Sequence, residues 1–73
     1  MKTEEIEQGC RYQDFKGAIR EVVEIYPDEI TRIRMVAYRT LPSIDPKLMS
    51  DCTLKSFAWW AMRDVTESVR GAA

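Results

Sequence analysis

Four pairs of neighbouring carboxylates are the residues of this chain best suited by type to chemistry: Glu4 with Glu5, Glu21 with Glu24, Asp28 with Glu29, and Asp64 with Glu67. A carboxylate pair works as acid and base in hydrolysis when its surroundings push the two protonation states apart. Each pair here has a plainer position, at a helix start or on a helix surface. Histidine is absent from all 73 residues. That removes the commonest general base, proton shuttle and metal ligand, and with them any Ser-His or Cys-His nucleophile. Cys10 and Cys52 lack the paired spacing of a zinc or redox motif, no acidic run alternates like a calcium loop, and Gly9, Gly17 and Gly71 are isolated. The expectation is a chain without catalytic, cofactor-binding or metal-ligating residues, hence not an enzyme. The two thiols read as small buried hydrophobes.

Trp59 and Trp60 are the other conspicuous pair. Read at 100° per residue, Leu54, Phe57, Ala58, Ala61, Met62, Val65 and Val69 already make one apolar face of a helix over Leu54–Arg70. Adjacent helix residues point different ways, so one core face cannot take both indoles. Tryptophan, methionine and arginine are enriched at the centres of protein interfaces. The expected protein contact is therefore Trp59, Trp60, Met62, Arg63 and Arg70, with Lys55 and Arg63 placed to stack on Trp59.

The elements expected to position these residues are helical. Tyr12, Phe15, Ile19, Val22 and Tyr26 recur at spacings of three and four, with Gln13, Lys16, Arg20, Glu21 and Glu24 outside, which predicts a helix from Tyr12 to Tyr26. Pro27 ends it, and Asp28 and Glu29 suit the start of a second helix. Ile30, Ile33, Val36, Ala37 and Leu41 supply that helix's stripe. Its β-branched residues suit a strand too, but Ile30 and Ile33 would then face opposite ways, so helix is preferred. Arg34 falls inside the apolar arc beside Tyr38. Asp45-Pro46 opens about one turn over Lys47–Ser50, and Asp51 or Thr53 caps the last helix. Thr3–Gly9 reads as a short turn with little to bury, within a loosely held segment 1–10. The fold class expected is all-α: a compact single-domain bundle of three main helices plus one or two short helical turns.

The balance of charge, −1 overall, argues against a dominant phosphate binder. The competing reading is a helix-turn-helix DNA-binding regulator, with Ile30–Thr40 as recognition helix, Arg32 and Arg39 exposed on it, and Lys16 and Arg20 reaching phosphates. Asp28 and Glu29 at the start of that helix oppose it. No apolar run nears the roughly 18–20 residues of a membrane span, and the acidic start lacks a signal-peptide core, so cytoplasmic residence is expected. The preferred expectation is a small protein-binding regulator or inhibitor that acts stoichiometrically, the class that phages and plasmids often encode, with self-association into a homodimer as one way to enlarge a small core.

Overall fold

Asp14 and Gly17 decide the first element. Gly17 adopts φ +95°, a backbone state that costs glycine little. The Asp14 carboxylate accepts hydrogen bonds from the amides of Lys16 (3.0 Å) and Ala18 (2.9 Å). The result is a tight turn, and the segment expected to be one helix becomes two strands. The computed structural model describes residues 1–42, 45 and 47–67. Over these the chain forms β1 (Arg11–Gln13), β2 (Ile19–Pro27), β3 (Arg34–Leu41), β4 (Ser50–Thr53), one helix α1 (Leu54–Trp60) and β5 (Arg63–Asp64). The strands make one antiparallel sheet in the order β4-β3-β2-β1-β5. A short 3-10 turn, Thr3–Glu5, precedes them.

The all-α bundle is thus overturned: among the described residues the architecture is a five-stranded sheet with the short helix α1 packed on it. The reason lies in a bulge. Register shifts between Val22 and Glu24, leaving Val23 as an extra residue in β2. Val22 and Ile25, which register with Tyr38 and Val36, share a face although three residues apart. A strand with a bulge thereby copies helical spacing. In β3 the pattern hides differently, because Ile30 and Ile33 lie in the turn before the strand rather than within it. Of the three main helices expected, only the last begins where expected, at Leu54, capped by Thr53 Oγ1 accepting from the Ser56 amide at 3.0 Å. It stops at Trp60, because Ala61 turns extended (φ −73°, ψ 131°) to enter β5.

One face of the sheet carries Tyr12, Val22 and Val36, which are fully buried with Phe57 of α1. Ile6, Ala58 and Ala61 complete the core. The Tyr12 and Phe57 rings meet edge to face, 5.7 Å between centroids. The Tyr12 hydroxyl donates to the Glu5 carbonyl and accepts from the Glu7 amide, both at 2.9 Å, so its polar end is satisfied as its ring is buried. On the other face Arg11 pairs with Glu21 at 2.9 Å and Arg39 approaches the same carboxylate at 3.5 Å. Cys10 and Cys52 are free, half-buried thiols against the core, and burial pushes the Cys52 thiol above its ordinary pKa. Among the described residues no helix is long and apolar enough to cross a membrane.

Candidate functional site

Two turns of helix are too few to bury every large residue they carry. In α1, Phe57 and Ala58 face the sheet, and this decides the fates of the two indoles. Trp60 is half-buried, its ring 5.4 Å from Phe57. The Arg20 guanidinium lies between two aromatic faces, 4.1 Å from the Trp60 ring and 4.6 Å from the Tyr38 ring. Trp59, one residue earlier, is 88% exposed. Of the two, Trp60 holds the fold together and Trp59 is presented to solvent.

Beyond the helix the chain is pinned to the first hairpin. The Met62 amide donates to the Gln13 carbonyl at 2.9 Å. Arg63 sends its Nε (2.8 Å) and a terminal nitrogen to Gln13 Oε1. Gln13 Nε2 in turn donates to the Gly17 carbonyl at 3.0 Å. These bonds bring Met62 and Arg63 beside the β1–β2 turn, and the two line a shallow open groove with Asp14, Phe15, Lys16 and Gly17. Phe15 is 79% and Met62 61% exposed. Asp14 Oδ1 accepts the two amide bonds that shape the turn. The groove thus sets two exposed apolar side chains, Phe15 and Met62, beside the cationic Lys16 and Arg63. Lys16 Nζ stands 5.7 Å from the centre of the Phe15 ring.

Of the residues expected at a protein contact, Met62 and Arg63 line this groove, Trp59 is exposed on α1, Trp60 is packed against Phe57, and Arg70 lies outside the described residues. Val69, expected on the same helix's apolar face, also lies outside them. Arg63 reaches Gln13 rather than stacking on Trp59. Phe15 is the residue that sequence reasoning missed, having been placed in a helical core stripe. Its signal was present in Asp14-Phe15-Lys16-Gly17, an aspartate and a glycine bracketing a turn.

The nucleic-acid set does not assemble. Lys16 sits in the first turn, Arg20 is stacked under Trp60, Arg32 lies in the β2–β3 turn at φ 64°, and Arg39 is paired to Glu21. Ile30–Thr40 is a turn followed by β3, so there is no recognition helix to enter a groove. Among the described residues no group of three or more His, Cys, Asp or Glu is placed to hold a metal ion.

No family model, curated protein or solved structure matches this chain, so a phage or plasmid origin has no support and the surface is read from its residues alone.

Proposed function

We propose that this chain is a non-enzymatic protein-binding module that acts stoichiometrically, by covering a site on its partner. Trp59, Met62 and Phe15 are its apolar anchors; Lys16 and Arg63 are its cationic rim. The observation that carries this reading is the 88% exposure of Trp59 on a helix whose other aromatic residues are packed. Leaving a large apolar side chain in water forgoes about 1.5–3 kcal/mol. A domain of this size has a total stability of only about 5–10 kcal/mol. Tryptophan is also the side chain most over-represented among residues that dominate binding energy. The rim favours a partner surface that is apolar at its centre and acidic around it.

The test is capture from nuclease-treated lysate of the source cell, using wild type beside Trp59→Ala. Both are first compared by circular dichroism. A discrete protein held by wild type and lost by the folded variant supports the module. Equal capture by both, or recovery only of nucleic acid before nuclease treatment, overturns it.

A further inference from the structure

The longest strand of the sheet is bare along half of one edge. β2 runs from Ile19 to Pro27, and β3 pairs with it as far as Pro27↔Arg34. On its other side β1 covers only Ile19–Glu21. Two further backbone bonds extend that cover by one residue: the Gly9 amide donates to the Val22 carbonyl (2.8 Å) and the Val22 amide to the Cys10 carbonyl (2.9 Å). Beyond Val22, among the described residues, no strand pairs with this side of β2. An unpaired edge of a β-rich strand is a template for another strand.

The donors of this edge are nevertheless closed. Along an antiparallel strand, successive residues bond to alternate sides. The Ile25 amide faces away from β3, because it donates to the Gln8 side-chain oxygen Oε1 at 2.7 Å. Two residues on, the same side falls to Pro27, which has no N–H. Gln8 is set in place by a turn rather than by packing, and its side chain is exposed. Gly9 adopts φ +84°, the Cys10 amide donates to the Glu7 carbonyl at 3.3 Å, and the Glu7 amide donates to the Tyr12 hydroxyl at 2.9 Å. Ordering an exposed glutamine costs rotamer entropy, and water would serve an edge amide as well. The bond therefore does little for stability, and what it does achieve is to occupy the edge.

We propose that Gln8 is an edge guard: its side chain stands where a strand of a second copy would add to β2, and it keeps the chain from pairing through that edge. Without it, Ile25 presents its N–H and C=O to the same side. Two such edges related by a two-fold axis exchange both bonds, Ile25 against Ile25. Glu24 of each copy then faces Tyr26 of the other, so no like charges stand directly opposed. The edge is separate from the Phe15–Met62 groove, and neither outcome of its test bears on the contact proposed there.

The test compares wild type, Gln8→Ala and Gln8→Glu, the last of which keeps an acceptor for the Ile25 amide. Amide exchange and sedimentation velocity are measured at about 10 μM and about 1 mM, a range that spans weak association. At the lower concentration Gln8→Ala should exchange the Ile25 amide about two- to tenfold faster than wild type, the loss of one ordinary hydrogen bond. Val36 should stay equally protected in all three, showing that the sheet is intact. At the higher concentration the weight-average mass of Gln8→Ala should rise from the 8.5 kDa monomer toward two chains, and its Ile25 amide should regain protection. Wild type and Gln8→Glu should show neither change. Ile25 exchange that is equal in wild type and Gln8→Ala overturns the proposal. So does a Gln8→Ala mass that matches wild type at about 1 mM, association of Gln8→Glu to the same extent, or loss of Val36 protection in Gln8→Ala, which would make Gln8 a support of the fold.

Discussion

The guanidinium carbon of Arg20 lies 4.1 Å from the ring centre of Trp60, with the Tyr38 ring on its other side at 4.6 Å. Arg20 Nε is buried and makes no hydrogen bond, so stacking holds this side chain in place. The relationship ties β2, β3 and the end of α1 into one layer. It also separates the roles of two adjacent tryptophans that the chain writes identically.

Chemical denaturation distinguishes those roles directly. Trp60→Ala removes the ring that covers Phe57 and Arg20, and is expected to cost about 2–4 kcal/mol, toward the lower part of the range for large aromatic truncations. Trp59→Ala removes a side chain in water and should change stability by no more than about 0.5 kcal/mol. Arg20→Lys keeps the charge but loses the planar stack, for an expected loss of about 1 kcal/mol. Urea midpoints of the three variants check the order.

The amino terminus gives a second expectation. In a polypeptide beginning at Met1, the α-ammonium donates to the carbonyls of Ala58 (2.8 Å) and Ala61 (3.2 Å), the unsatisfied end of α1. A positive charge there complements the helix dipole, typically by about 0.3–1 kcal/mol. Acetylating that amine removes the charge and leaves one N–H for two carbonyls. It should lower the thermal midpoint by several degrees while leaving the far-ultraviolet spectrum unchanged at low temperature. Equal midpoints for the two forms would show that the contact contributes nothing.

Tyr12 makes the fold sensitive to alkali. Burial pushes its phenol up from 10 to about 12, against the opposing effect of the Glu7 amide bond. A group whose folded pKa is raised contributes fully below its unfolded value and loses that contribution as pH rises through the folded value. Stability should therefore hold up to about pH 10 and decline by about 2–3 kcal/mol toward pH 12 beyond what other groups contribute. Tyr12→Phe should abolish that part of the decline. At neutral pH the variant pays about 1–3 kcal/mol for the stranded Glu7 amide. Denaturation midpoints of both proteins at pH 8, 10 and 12 decide it.

What could be read from the chain was local, and what could not was distant in sequence. Leu54 as helix start, and Phe57, Ala58 and Ala61 as a buried stripe follow from residues within eight positions, and the structure has each; of the two expected caps, Asp51 or Thr53, it uses Thr53. The divergence of Trp59 and Trp60 was legible for the same reason. The sheet was not. Its edge pairing sets Gln13 against Arg63 and Tyr12 against Asp64, about fifty residues apart, where no local pattern reaches. The bulge at Val23 then gave β2 the spacing of a helix. Gly17, which in a helix would only cost stability, was the best local sign of the turn that actually forms. Phe15 became a surface residue with that turn, so the groove was hidden by the same misreading as the fold.

The Asp28 turn yields the last expectation, a local one. Its carboxyl is held below the ordinary carboxylate range, first by the Thr31 amide, then by the Thr31 hydroxyl and the Ile30 amide. A depressed folded pKa means that the turn's order is present above the unfolded value, about 3.9, and is lost as pH falls through the lowered one. Asp28→Ala should produce the same loosening at neutral pH, because all three bonds end on one oxygen, Oδ2. Amide exchange at Ile30 and Thr31 is the direct measurement, with Val36 in the core as reference. In the variant the turn amides should exchange faster while Val36 stays protected, since β2 and β3 remain paired from Pro27↔Arg34 inward. Loss of protection at Val36 as well would mean that the turn supports the sheet.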